Sequence, residues 1–406
     1  MEVLFQIGNC KMRKYSNLID RSVRAFWCVV ALIIRYLIPI QRNRVICWAY
    51  GFQQYGCNPK YISEYILDRE PAEFEIIWAF KKGADVKDVP KGIKIVYYNT
   101  FSFIWKLYSA KFVITNKRIE RYLDYFFKKD SQIYIMTWHG TTPLKRIEND
   151  AVIELGHKYH IRAKYDSKIC DLMLSNSSFF TKLIRNSFLY KGEILESGIP
   201  RNDLFFDQTR IELIRKKVFR EYNVNENQKV VMYAPTFRND NNFRHFVLNW
   251  KQIIPEIKKM MNSDVVLFIR LHPNSIEDFD VNAILEDDCM RNLCYYNDMQ
   301  ELLCVTDILI TDYSSTMFEM AMLKKICILY ADDLSTYDRK YYFNFKELPF
   351  PLAENEQQLI QIIKEFSVEE YLKKIKLFYN QVLKVHESGI ASKSVVKWMI
   401  DKKRES

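Results

Sequence analysis

Short apolar runs bounded by polar turns recur along most of this chain and alternate with segments of helical spacing. RVICWAY (44–50), FEIIWAF (74–80), IKIVYY (93–98), KFVITN (111–116) and IYIMTW (133–138) each read as a buried strand. Residues 59–67, opened by Pro59, and residues 100–110 and 119–127 read as helices. Strands at 167–174 and 194–198 flank a helix at 177–186. A charged helix over 208–222 follows, and then a second alternating set begins. It comprises KVVMYAP (229–235), a helix around 250–261, DVVLFIRLHP (264–273), a strand at 293–296, a helix in DMQELLCV (298–305), DILITD (307–312), a helix over 316–325 and KICILYA (325–331). Strand–helix alternation predicts parallel sheets covered by helices. Its restart near residue 205 predicts an α/β protein of two Rossmann-like domains facing across a cleft. The expected divisions are 1–43, 44–205, 206–365 and 366–406, the last helical and ending in a basic tail.

Residues 1–43 have a different character. Arg21 and Arg24 precede the run AFWCVVALII (25–34), which Arg35 interrupts after ten residues; YLIPI, Arg42 and Arg44 follow. A spanning helix needs about 20 apolar residues, and no small-residue cleavage site follows the run. The pattern predicts a helix lying in the membrane interface, with Phe26 and Trp27 inserted and arginines on anionic headgroups. An amphipathic helix packed on the protein body would carry the same pattern.

Composition narrows the chemistry. Sixty basic against fifty acidic residues give a net charge of +10, which suits anionic partners. No finger, basic zipper or RNA-recognition signature accompanies it, so nucleic acid is not expected. Only ten glycines occur, and neither G-x-G-x-x-G nor a P-loop is among the motifs. Nine cysteines, none in C-x-x-C, read as small buried hydrophobes of a reducing compartment. Asp287-Asp288 and Asp332-Asp333 lack neighbouring ligands at useful spacing, so no metal and no cofactor is expected.

The unusual polar motifs follow predicted strands: His139 to Lys145, Pro200 to Asp203, Pro235 to Arg238, Arg270 to Asn274, and Asp312 to Ser315. In parallel sheets such positions open onto one cleft. The turn Thr311-Asp312-Tyr313-Ser314-Ser315 before a helix can seat an anion through N–H groups and paired hydroxyls. Taken alone it is more often a plain cap. His139 and His272 stand at matched strand ends in opposite halves, where a group titrating near neutrality can move a proton at a reacting oxygen. Arg201, Arg238 and Arg270 would offset phosphate charge.

Together AYGFQQYGCNPKYI, AKFVITN, TWHGTTPLK, GIPRNDLF, YAPTFR, RLHPN, TDYSSTMFEMA and YADDLSTYDRKYYFNFKELPFP, in that order between about residues 44 and 363, resemble the CDP-glycerol glycerophosphotransferases of teichoic acid and capsule synthesis. The resemblance implies a GT-B type fold and a peripheral, monotopic enzyme on the cytoplasmic membrane face. It also implies a CDP-glycerol or CDP-ribitol donor and an acceptor linked to undecaprenyl diphosphate. Carried over by motif, donor contacts fall on Trp138, His139, Gly140, Thr141, Thr142, Arg201, Pro235, Thr236, Arg238, Arg270, Leu271, His272, Ser314, Ser315 and Glu319. Many members read WHGTPLK, so Thr142 is an extra residue here, and Glu319 stands where Asp is common. His139 and His272 are the expected catalytic pair. A single catalytic module with a short anchor favours priming or single addition. Polymerisation, ribitol phosphate transfer and, from another class, sugar-nucleotide glycosyl transfer are the alternatives. An oligomer is compatible with all of them.

Overall fold

The computed structural model describes residues 29, 33, 35–119, 128–140, 142–238, 247–272, 275–276, 279–285, 287–335 and 340–405, and these form two sheets in which every pairing is parallel. The first holds β1 (Gln41–Trp48), β2 (Glu75–Phe80), β3 (Lys94–Tyr97), β4 (Ala110–Thr115), β5 (Ile133–Met136), β6 (Leu172–Leu174) and β7 (Glu193–Leu195), in the order 3-2-1-4-5-6-7. The second holds β8 (Lys229–Ala234), β9 (Val265–Ile269), β10 (Met290–Asn292), β11 (Ile308–Thr311), β12 (Ile326–Tyr330) and β13 (Leu352–Ala353), in the order 10-9-8-11-12-13. Strand order reverses between β1 and β4 in one sheet and between β8 and β11 in the other. At such a reversal the flanking connections diverge and leave a crevice beyond the carboxyl ends.

The runs become strands because both of their faces are buried. In β1, Ile46 and Trp48 join one apolar layer while Val45 and Cys47 join the opposite one. In β8, Val230 and Met232 face one side and Val231 and Tyr233 the other. Each fully buried side chain of this size contributes ~1.5–3 kcal/mol. The covering helices are α1 (Cys57–Arg69), α2 (Phe101–Ser109), α3 (His157–Ile169), α4 (Ser178–Asn186), α5 (Gln208–Glu221), α6 (Trp250–Met261), α7 (Met299–Val305), α8 (Thr316–Met322), α9 (Glu356–Lys364), α10 (Val368–Leu377) and α11 (Ala391–Arg404).

Two elements differ from the pattern-based expectation. Residues 167–169 end α3 instead of starting a strand, because buried Ser167 and Asp166 bind the Arg118 guanidinium at 2.9 and 3.1 Å. The strand expected at 293–296 lies earlier, at β10. Arg270 takes the carbonyls of Leu293 and Cys294, which removes them from the sheet ladder. Most of the segment expected to lie on a membrane (1–28, 30–32 and 34) falls outside the described residues. No helix among the described residues is long and apolar enough to cross a membrane.

The chain end returns to the first half. In α11, Val395, Val396 and Met399 share a core with Ile62 and Ile66 of α1. Asp203 accepts the first N–H groups of α11, from Ala391 at 2.9 Å and Ser392 at 2.7 Å. Just before it, Glu387 accepts from Asn202 Nδ2 at 2.7 Å and from the Ile199 N–H at 3.2 Å. Its carboxylate occupies the space where a Cβ on Gly198 (φ +96°) would fall. Burial pushes the Glu387 carboxyl up to about 7 from its ordinary 4.5. The folded state therefore binds more protons than the unfolded one between those pH values, and stability falls as pH rises through that window. The slope is up to ~1.4 kcal/mol per pH unit. Glu387→Gln is expected to flatten the melting temperature between pH 4.5 and 7, measured by thermal unfolding at stepped pH.

Candidate active site

The loop after β5 carries Trp138, His139 and Gly140. Trp138 adopts φ +57° and packs edge-on against Phe188, with ring centroids 4.7 Å apart. His139 Nδ1 lies 3.0 Å from the Asn116 carbonyl oxygen at the end of β4. A carbonyl only accepts, so Nδ1 carries a proton, and in the neutral ring the lone pair falls on Nε2. At Gly140 a Cβ would stand 3.9 Å from Ser315 Oγ, so this loop of the first half meets the start of α8 in the second. The same loop continues into a backbone pairing across the halves. Arg146 N–H donates to the Lys340 carbonyl and Tyr342 N–H to the Leu144 carbonyl, each at 2.9 Å. Thr141 falls outside the described residues, and Thr142 is buried.

In the second half Ser315 precedes α8 without a side-chain cap bond, while Ser314 Oγ accepts the Thr316 N–H at 3.3 Å and pairs with Thr316 Oγ1 at 2.8 Å. Pro235 is buried beside Thr236, whose N–H donates to Asp312 at 2.9 Å. This ties the end of β8 to the end of β11 at the second sheet's strand reversal. Leu271 is buried and its N–H meets Cys294 Sγ at 3.2 Å. His272 is exposed near the ring of Phe237. Desolvation, then Lys145, Arg270 and Lys117, lower its pKa below 6.5. These influences favour the neutral imidazole over the imidazolium.

Each of the three arginines expected to face phosphate is held by the protein. Arg201, 5% exposed, donates to Glu319, which is 1% exposed and also accepts from Gln300 Nε2 at 2.9 Å. Burial opposes the Glu319 charge, while Arg201 and Gln300 favour it. Arg238 pairs with Asp333 at 2.7 Å and with Asp312 at 2.9 Å, over the face of Tyr313. Arg270 binds two carbonyls, as above. These side chains brace loops in this state of the molecule. Glu319, one of the residues carried over as a donor contact, joins the two halves through Arg201.

Two lysines of the first half also act on the second. Lys117 follows β4 and sits over Tyr50, and Lys145 closes the β5 loop and sits over Tyr313. Both come from the first half, yet both depress His272 in the second. Lys145→Met is expected to raise the His272 titration midpoint toward 6.5, followed by NMR; an unmoved midpoint would mean the halves do not meet as described.

Below the site α1 and α7 lock the halves together. Lys60 Nζ binds Asp298 at 2.6 Å and Glu301 at 3.0 Å, and Tyr61 donates to Asp298 at 3.0 Å. Burial works against the Asp298 charge, but Lys60, Tyr61 and the Gln300 N–H together hold it below the usual carboxylate range.

Comparison with known proteins identifies the family and the fold. A family model described as CDP-glycerol:poly(glycerophosphate) glycerophosphotransferase matches residues 30–401. A teichoic acid poly(glycerol phosphate) polymerase of Bacillus spizizenii is 29% identical, over 96% of this chain and 98% of that protein. A teichoic acid glycerol-phosphate transferase of Staphylococcus aureus is 31% identical, over 87% of this chain and 92% of that protein. The chain spans about half (51%) of the Bacillus subtilis poly(glycerol phosphate) polymerase, at 29% identity. A solved structure of the wall teichoic acid polymerase TagF, a histidine-to-asparagine variant soaked with CDPG, superposes with a TM-score of 0.80. It is 27% identical, covering 95% of this chain and 98% of that one.

Proposed function

Because the chain belongs to the CDP-glycerol:poly(glycerophosphate) glycerophosphotransferase family, we propose that its cleft moves glycerol phosphate from CDP-glycerol to a hydroxyl of a lipid-linked acceptor in teichoic acid synthesis. The acceptor hydroxyl oxygen attacks the β-phosphorus. The bond from that phosphorus to the bridging oxygen breaks, and CMP leaves with the bridging oxygen. The hydroxyl proton passes to His139 Nε2, the ring nitrogen opposite the Nδ1–Asn116 contact. His272, neutral, donates to a phosphate oxygen, and the N–H groups and hydroxyls at Ser314 and Ser315 face the diphosphate. Lys117 and Lys145 supply the positive field. In this reading the first half receives the acceptor and the second the cytidine diphosphate, at the cytoplasmic membrane face. The observation that carries it is the approach of the His139–Gly140 loop to Ser315, which sets a base on one sheet against an anion-facing turn on the other.

Repeated addition is the reading favoured over priming. A single-module length was the argument for priming, yet the Bacillus spizizenii polymerase is matched over 98% of its own length. Single addition remains the second reading because of the Staphylococcus aureus glycerol-phosphate transferase. Product length from radiolabelled CDP-glycerol and a synthetic lipid acceptor separates them. A ladder of lengthening products is expected; one discrete product at excess donor would establish single addition.

A further inference from the structure

The floor of the cleft is built on backbone that side chains rarely adopt. Tyr50, Phe52, Cys57 and Trp138 have φ of 47°, 70°, 58° and 57°, in the left-handed region where a Cβ crowds the neighbouring carbonyl. All four lie after β1, after β5 or at the start of α1, around the first sheet's strand reversal. Such conformations persist only where their surroundings over-determine them.

Two buried asparagines hold two of them, Trp138 and Tyr50. Asn58, 1% exposed, donates from Nδ2 to the Trp138 carbonyl at 2.9 Å and the Thr137 carbonyl at 3.2 Å, and its Oδ1 accepts the Arg201 N–H at 3.1 Å. One amide thus joins α1, the loop that presents His139 and the turn that presents Arg201. Asn116, fully buried, accepts the Tyr50 N–H at Oδ1 (2.9 Å), while its own carbonyl holds His139 Nδ1. Only an amide side chain of this length both donates to carbonyls and accepts from an N–H. An aspartate at 58 would turn an oxygen toward two carbonyl oxygens, and a leucine would leave the Thr137 carbonyl and the Arg201 N–H without this partner.

We propose that Asn58 and Asn116 are positioning residues of the transfer reaction. Asn58 holds the left-handed Trp138 peptide in register with Arg201, and the Asn116 side chain, tied to the Tyr50 N–H, holds in place the main-chain carbonyl that sets the ring plane and tautomer of His139. This rests on the reading of His139 as the base.

The test compares Asn58→Ala and Asn116→Ala in the wild-type and His139→Ala backgrounds, by CMP release from CDP-glycerol. Each is expected to lower kcat about 10–10²-fold by misplacing the base, with KM changed by less than about threefold. In the His139→Ala background each is expected to change the residual rate by less than about twofold, because residues acting as a unit are non-additive. Imidazole ¹⁵N spectra are expected to show His139 protonated at Nδ1 in the wild type and mixed in Asn116→Ala, where the carbonyl of residue 116 remains but loses its tie to Tyr50 and shifts from the ring. Equal losses in both backgrounds, or an unaltered tautomer in Asn116→Ala, would overturn the proposal. Near-full turnover by His139→Ala would instead sink the base assignment, and the tautomer spectra would then judge the asparagines alone. If Asn58→Ala loses cooperative unfolding, Asn58→Ser, which keeps one polar contact, is tested for the same non-additivity.

Discussion

His139→Ala is expected to lower turnover of CDP-glycerol about 10²–10⁴-fold, the range for losing a positioned general base, with little change in KM for the donor. The expectation follows from the tautomer. Nδ1 donates to the Asn116 carbonyl, so in the neutral ring the lone pair sits on Nε2, in a loop that reaches the Ser315 turn of the other half. Alanine removes the proton acceptor without disturbing the Asn58 bonds to Trp138 and Thr137, which run through backbone carbonyls. A profile in which KM rises and kcat stays would assign His139 to ground-state donor binding instead.

The second large effect is structural. Arg201→Ala is expected to cost about 3–5 kcal/mol of stability, because it strands the Glu319 carboxylate between the two halves. The paired change Arg201→Met with Glu319→Leu is expected to recover most of that loss, since a buried ion pair is often no better than apolar residues of similar volume. Urea midpoints of the two variants measure both. The paired variant also separates clamp from ligand contact. If it folds but no longer binds CDP-glycerol, the ion pair opens to the donor. If it binds normally, Arg201 and Glu319 hold the halves together and do nothing more.

Much of the fold could be read from the sequence because parallel strands are buried on both faces. Runs such as KFVITN and DILITD are therefore continuous and sharply bounded, and both appear at the expected places as β4 and β11. Where a run ended in a polar contact with a distant residue, the reading slipped. Ser167 belongs to a helix because of Arg118, and the carbonyls of residues 293 and 294 turn to Arg270. The site divides the same way. That His139 and Ser315 would share a cleft follows from both standing at carboxyl ends of parallel strands. The engagement of the arginines could not be read, since Glu319 is 118 residues from Arg201 and Asp333 is 95 from Arg238. Lys117 and Lys145 lay within or beside quoted motifs, but a single lysine in a loop carries no periodic signal. Asn58 and Asn116 were equally silent, because a buried amide and an exposed one look alike in a sequence.

The most direct test of the central claim is nucleotide release by the purified chain, given a lipid-linked acceptor and CDP-glycerol, CDP-ribitol, UDP-sugars or GDP-sugars in turn. CMP from CDP-glycerol, lost in His139→Ala, is the result expected of a glycerophosphotransferase. Release of UDP or GDP from a sugar nucleotide with CDP-glycerol left intact would contradict it, and would make the cleft that of a glycosyltransferase.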